Sequence, residues 1–368
     1  MKSRDRINCI LNHEEADSVP IHDSPWVAAI ERWHEEGLPR DADINEYFGY
    51  EMRFVLPDFS PQFKHEIIDE DDKYVIERNE FGTIVKNYRD HSTTPQFIES
   101  PVKNREEWEK LKERLVINDS RLTIYDTFDE MEYPGARKKT TWEETLEKHR
   151  KEYEKGHYFC FCGWLGYDML QHYLGVEKLL MVLVDDPEWA KDMFNTVAEF
   201  LIRLHGFLEE NGVICDGAFI GSDMGYRNTS LFSPQHYKEL FMGADKMLCD
   251  YFHGKDMKVI LHCDGNINNL VPFIIESGFD CLQPIEAKAG MDLINLKSLY
   301  GDKLSFMGGI DVGKMADPVK IEEEIASKVP IAKKGGGYIY HSDHSVPNNI
   351  SLQQYINVLE LIKKYGKY

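Results

Sequence analysis

The sequence predicts an α/β fold of parallel strands closed into a (β/α)8 (TIM) barrel, on three observations. Apolar strand-like runs alternate with amphipathic helical stretches through the second half of the chain; eight strand candidates occur over its length; and polar side chains recur just past the carboxyl ends of the strands. Strands separated by helices pair in parallel, because a parallel neighbour needs a crossover rather than a tight turn. An open doubly wound sheet is the alternative. A barrel commonly exceeds roughly 200 residues as one domain, so residues 1–368 are expected to form a single domain.

In chain order, the strand candidates are residues 19–22, 52–56 and 158–162 in the first half, then 213–220, 258–262, 279–284, 304–309 and 338–341. Helical patterns fill 234–255, 267–277, 292–300 and 318–334 between the later ones. Residues 60–150 break this rhythm. Runs 74–78 and 83–87 flank Asn79-Glu80-Phe81-Gly82 and read as an antiparallel hairpin, followed by a charged helical stretch at 104–114. The region is expected to be an insertion capping the barrel mouth.

Composition narrows the function. A hydrophobic content of 42% with 12% aromatics suits a globular enzyme. No apolar run approaches the ~18 residues that span a bilayer, and the amino terminus leads into no secretory core, so the expected location is the cytoplasm and a membrane partner is excluded. The seven cysteines are odd in number and scattered, as free thiols would be. Acidic residues outnumber basic ones 64 to 43, a net charge of −21 that repels a phosphate backbone and excludes nucleic acid as a partner. The charged stretches 103–114 and 137–155 mix both signs, as solvated helix faces do.

Active sites of parallel barrels lie at the carboxyl ends of the strands. Here those ends read Gly221-Ser222-Asp223-Met224-Gly225-Tyr226, His262-Cys263-Asp264-Gly265-Asn266, Ile285-Glu286, Gly308-Gly309-Ile310-Asp311 and His341-Ser342-Asp343-His344-Ser345. Asp311 also suits a helix N-cap. His262 and Asp264 are two residues apart, so an extended strand end points both the same way and turns Cys263 toward the helices. Glu286 lies one βα unit further on, and His344 follows the last strand. His262, Asp264, Glu286 and His344 would suit a divalent metal, zinc above others, with a position left for substrate; a metal-free acid/base cluster is the alternative. Elsewhere, Cys160 and Cys162 share one strand face without further ligands nearby and read as core. Gly335-Gly336-Gly337 precedes a strand and reads as a turn. Tyr167 and His172 are expected to pack in the core or under a lid, with Trp164 beside them, and His205 and His253 to lie on the surface.

These motifs resemble the uroporphyrinogen decarboxylase superfamily over nearly the whole chain. The residues are Asp223-Met-Gly-Tyr226, Ser233-Pro-Gln-His-Tyr237, Leu261-His-Cys-Asp-Gly-Asn266, the segment from Pro284 through Glu286 to Asp292, Met307-Gly-Gly-Ile-Asp311 and His341-Ser-Asp-His-Ser-Val-Pro347. The resemblance implies a (β/α)8 barrel. True decarboxylases of the superfamily carry an arginine-containing signature after the first strand; this chain has Val19-Pro-Ile-His-Asp-Ser-Pro-Trp26 and no arginine between Val19 and Arg32. It therefore looks more like the zinc- and corrinoid-dependent methyltransferase branch. Related zinc methyltransferases bind the metal through a His-x-Cys pair and a later Cys, and the pattern of cobalamin-independent methionine synthase, on a similar barrel, also has a Glu roughly two dozen residues after the His. On that pattern His262 matches the His, Asp264 takes the first Cys position, Glu286 matches the Glu and His344 lies near the last Cys position.

Replacing thiolates by nitrogen and oxygen ligands leaves a metal more electron-poor and better able to polarise an oxygen. The resulting expectation is a methyltransferase that moves methyl from a small O-methyl donor, such as an aromatic methyl ether, to a corrinoid protein, making it an O-demethylase. Asp223 would act at the reacting centre, His22 or His341 would donate a proton to the leaving oxygen, and Tyr226, Asp311 and Trp164 would line the substrate pocket. The cofactors expected are zinc or another divalent metal, and a corrinoid carried by the partner protein; a homodimer is left open. The alternative is a metal-free decarboxylase.

Overall fold

The computed structural model describes residues 1–89, 95–125 and 140–368. Its strands are β1 (Met52–Pro57), β2 (Glu66–Glu70), β3 (Tyr74–Arg78), β4 (Ile84–Tyr88), β5 (Gln96–Glu99), β6 (Ile124–Tyr125), β7 (Tyr158–Trp164), β8 (Gly217–Gly221), β9 (Lys258–His262), β10 (Cys281–Gln283), β11 (Ser305–Met307) and β12 (Tyr338–Ile339). The main sheet runs β12-β11-β10-β9-β8-β7-β1-β6. Neighbours are parallel throughout except β6, which meets β1 antiparallel. Helices cross over between successive strands from β7 onward.

The two faces of this sheet bury different sets. Met52, Tyr158, Cys160, Ile260, Cys281, Met307 and Ile339 form one cluster with Ile7, Ile10 and Leu11 of the helix Ser3–Leu11. Burying each of those three helical side chains stabilises the fold by about 1.5–3 kcal/mol. The Gly337 N–H donates to Ile10 O at 2.9 Å, pinning the helix beside the start of β12. The amino-terminal ends of the strands are thereby plugged. Alternate residues such as Val259 and Leu261 face the helices, packing in the second cluster with Leu248, Val271 and Ile274.

Seven of the eight expected strands form. Residues 19–22 do not: Pro20 has no N–H for a ladder, and the segment makes a single parallel bridge, Ile21 to Tyr340. Tyr340 N–H donates to Pro20 O and His22 N–H to Tyr340 O, while Glu51 N–H donates to Ile21 O at 2.9 Å. The eighth strand of the sheet is instead β6, which lay outside the expected pattern. Strand 213–220 begins only at Gly217, and the expected helix 234–255 is broken by a π turn at Tyr237–Phe241.

The expected hairpin is β3–β4, in register from Tyr74–Tyr88 to Arg78–Ile84. β2 and β5 flank it, making a four-stranded antiparallel sheet. Its turn residue Phe81 is buried and stacks on Trp164 at the end of β7, with ring centroids 5.5 Å apart. Trp164 stacks in turn on His172 at 5.0 Å, and Thr83 Oγ1 donates to His172 O at 2.7 Å. The four-stranded sheet is thus fastened next to the carboxyl end of β7. The 104–114 helix forms as Arg105–Lys112 with Asn104 as its cap. Residues 137–139 of the second charged stretch lie outside the described residues; the rest forms Trp142–Glu154, started by a Thr141–Glu144 capping box.

His205 is not on the surface. It is buried against Phe161 and Phe252, its Nδ1 within 2.9 Å of the Tyr251 hydroxyl. Helical periodicity could not separate its face from the solvent face because a ring nitrogen with a partner is tolerated in the core. His253 is partly exposed and pairs with Asp280. Among the described residues no helix is long and apolar enough to cross a membrane.

Candidate functional site

Two loops meet at the carboxyl ends of β8 and β9. The 223–226 loop packs so closely on 264–266 that a Cβ at Gly225 would sit 2.2 Å from Asp264 O, and one at Gly265, which holds φ +82°, 2.6 Å from the Gly225 backbone. Asn266 N–H donates to Tyr226 O at 2.7 Å. Only glycine permits this approach, and it draws Asp223 onto the end of β9. Asp223 Oδ1 accepts the Asp264 N–H at 2.7 Å and lies 3.7 Å from His262 Nε2. Asp223 in turn donates its N–H to Asp168 Oδ2 at 3.0 Å.

Asp223, His262 and Asp264 each present a ligand atom, all within 4.8 Å of one another. A tetrahedral ion with bonds of about 2.1 Å separates its ligand atoms by about 3.4 Å, so modest closing would seat one. Asp264 Oδ1 is shielded from solvent and has no hydrogen-bond partner, a costly arrangement for a carboxylate unless a cation completes it. The three residues therefore fit a divalent metal. Burial raises the Asp264 carboxyl above its usual range, with Asp223 adding to the effect. Burial also pushes Asp168 well up. For His262 burial works downward, but Asp223 and Asp264 outweigh it and its pKa is raised.

The remaining expected ligands stand at the margin. Glu286 Oε2 accepts Gly265 N–H at 2.8 Å and Oε1 lies 3.1 Å from Lys288 Nζ, so it braces the 264–266 loop. Its neighbour Ile285 holds φ 62°, rare for a β-branched residue. His344 Nε2 is 4.0 Å from Asp264 Oδ2, and its ring lies 6.3 Å from that of the exposed Trp26. The structure thus gathers Asp223 with His262 and Asp264 and leaves Glu286 and His344 outside that trio.

His341 is buried, its Nδ1 donating to Ser342 O at 2.6 Å and its Nε2 3.2 Å from Ser24 Oγ. His22 is buried between the rings of Tyr50 and Phe54, 6.0 Å from the His341 ring, and its Nδ1 has no partner. Burial lowers both imidazoles and holds His22 well below the usual range. Asp311 caps the turn Val312–Lys314 by accepting Gly313 N–H at 2.8 Å. Trp164 is engaged in the stack with Phe81 and His172. Tyr226 is exposed at the loop tip.

Four residues were missed by sequence reasoning. Asp168 lies inside a helix, where an acidic residue carries no signal. Gln283, one residue before the expected Pro284 strand end, has its Oε1 2.5 Å from His262 Nδ1. Asp343 accepts the N–H groups of Ala287 and Val312, tying three strand ends together. Asp23 accepts the hydroxyls of Tyr340, Tyr355 and Ser342, clasping the 19–24 segment to β12 and the helix Leu352–Tyr365.

Residues 168–365, more than half of the chain, match the uroporphyrinogen decarboxylase (URO-D) family. No curated protein sequence matches. Among solved structures the chain is similar to a methyltransferase from Methanosarcina mazei, at 14% identity and a TM-score of 0.67, covering 99% of each chain; at that identity the likeness is one of fold. A catalytic domain of a GH26 endo-β-1,4-mannanase from Bacillus sp. JAMB-750 aligns at 14% identity and a TM-score of 0.40, over 65% of this chain and 75% of its own, too weak a likeness to carry an argument.

Proposed function

This chain belongs to the uroporphyrinogen decarboxylase family, and from that premise we propose that it is a metal-dependent methyltransferase taking methyl from a small O-methyl donor to a corrinoid protein. The observation that carries the reading is the trio Asp223, His262 and Asp264, each offering a ligand atom, with Asp264 Oδ1 buried and without a hydrogen-bond partner. His344, 4.0 Å from Asp264, stands ready as a fourth ligand. A bound zinc or similar ion would supply Lewis acidity, polarising the donor's oxygen.

The chain's own groups account for the rest. His22 is held neutral by burial, and a hydrogen on its uncommitted Nδ1 can bond the oxyanion that develops as methyl leaves. His341 has both nitrogens engaged and orients the Ser24 hydroxyl. The methyl would be handed as a methyl cation equivalent to a cobalt(I) corrinoid carried by the partner, the bonding pair staying on the donor oxygen, which would then take a proton from solvent water. The backbone bonds from 20–22 to both Tyr340 and Glu51 support a barrel closed through that segment, and the Phe81–Trp164 contact supports the insertion as a cap beside its mouth. A tetrapyrrole polycarboxylate is disfavoured by an acidic chain without the arginine signature.

Metal content tests the reading. About one zinc per chain, lost in His262→Ala, is the expected result. A protein purified without chelator that holds no metal and takes up none would overturn it in favour of the acid/base cluster.

A further inference from the structure

We infer that Gln283 is a positioning residue that fixes the tautomer of His262, presenting the Nε2 lone pair to the gap between Asp223 and Asp264. The inference rests on the metal-centre reading above and extends it to a residue outside the ligand set. Gln283 ends β10 and is buried; its backbone carbonyl accepts the Cys263 N–H at 2.8 Å, and its strand register places it opposite His262. Its side-chain Oε1 lies 2.5 Å from His262 Nδ1. A carbonyl oxygen only accepts, so Nδ1 must carry the hydrogen and, in the neutral ring, Nε2 must carry the lone pair. That nitrogen is the one 3.7 Å from Asp223 Oδ1. One face of the ring stacks on Phe219, centroids 5.9 Å apart. Edge and face are therefore both held, and the imidazole is aimed before any ion arrives. A neutral amide partner leaves the ring less electron-rich than a carboxylate would, which keeps the bound ion a stronger Lewis acid.

Two substitutions separate this role from simple packing. Gln283→Met keeps the volume and removes the acceptor; Gln283→Glu keeps an acceptor and adds charge. Zinc affinity, measured by competition with a chromophoric chelator, is expected to fall about 10–100-fold in Gln283→Met and to match or exceed the native value in Gln283→Glu. In the metal-free protein, nitrogen-15 spectra above the His262 titration are expected to show hydrogen on Nδ1 in the native chain and a mixture of tautomers in Gln283→Met. Unchanged tautomer and affinity in Gln283→Met, or weakened affinity in Gln283→Glu, would overturn the inference. If the native protein binds no zinc the metal reading fails, and the tautomer spectra still decide whether Gln283 orients the ring.

Discussion

Asp264→Asn should stabilise the metal-free protein and abolish its stabilisation by zinc. In the native chain Asp264 Oδ1 is buried without a partner, beside the carboxylate of Asp223. An unsatisfied buried group costs about 1–3 kcal/mol. The side chain as a whole is 34% exposed, and solvent screening takes the expected gain to the lower part of that range. For 368 residues unfolding as one unit, the entropy of unfolding is about 0.8 kcal/mol/K, so a gain of about 1–2 kcal/mol raises Tm by about 1–3 °C. Zinc at about a hundred times its Kd adds about 2.7 kcal/mol to the native chain alone, which reverses the order. Calorimetry with chelator and then with zinc reads both signs. The carboxyl's raised pKa means the fold favours its neutral form. Native stability is therefore spared below the usual value of 3.8 and lost as pH rises through the folded pKa, so the gap between the proteins should close in acid. A variant that melts lower in chelator and is still stabilised by zinc would show that Asp264 is neither a burdened carboxylate nor a metal ligand.

Other expectations follow from the same contacts. Tyr355→Phe removes a 3.0 Å hydrogen bond to the buried Asp23 and should cost about 1.5–3 kcal/mol in urea unfolding; no change would show that the clasp contributes nothing. Phe81→Ala empties the stack on Trp164 and His172 and should cost about 3–5 kcal/mol, with limited proteolysis releasing the β2–β5 sheet first. Burial lowers His172 and His205 to about 4. Each contributes stability that is present above 6.5 and lost as pH falls from there toward 4, up to about 3 kcal/mol. His205→Phe should flatten part of that acid limb in pH-dependent melts, and an unchanged limb would place the titration elsewhere.

How far the sequence foretold this arrangement depends on which forces act locally. Parallel strands buried on both faces read as apolar runs, which is why 258–262 and 158–162 were legible, and β9 runs Lys258–His262 as expected. The hairpin was legible from its Gly82 turn. The 19–22 segment misled because its apolar residues satisfy a core while Pro20 prevents a ladder, a backbone fact that hydropathy does not record. β6 has two residues and no periodicity to detect. At the site, the i, i+2 spacing brought out His262 with Asp264, and the strand-end rule brought out Asp223. It could not tell that Asp223 rather than Glu286 would join them, because that choice turns on how closely Gly225 approaches Gly265. Gln283, Asp168 and Asp23 act through long-range hydrogen bonds, and no local pattern announces such partners.

Methyl transfer to cob(I)alamin, followed by the absorbance of methylcobalamin, tests the proposed activity most directly. The zinc-loaded protein would be offered a panel of aromatic and small aliphatic methyl ethers, beside the chelated protein and His262→Ala. Transfer from at least one O-methyl donor is expected with zinc, and its loss in both controls. Full metal occupancy with no transfer from any donor, or equal transfer by the chelated protein, would rule out a metal-dependent O-methyl transfer.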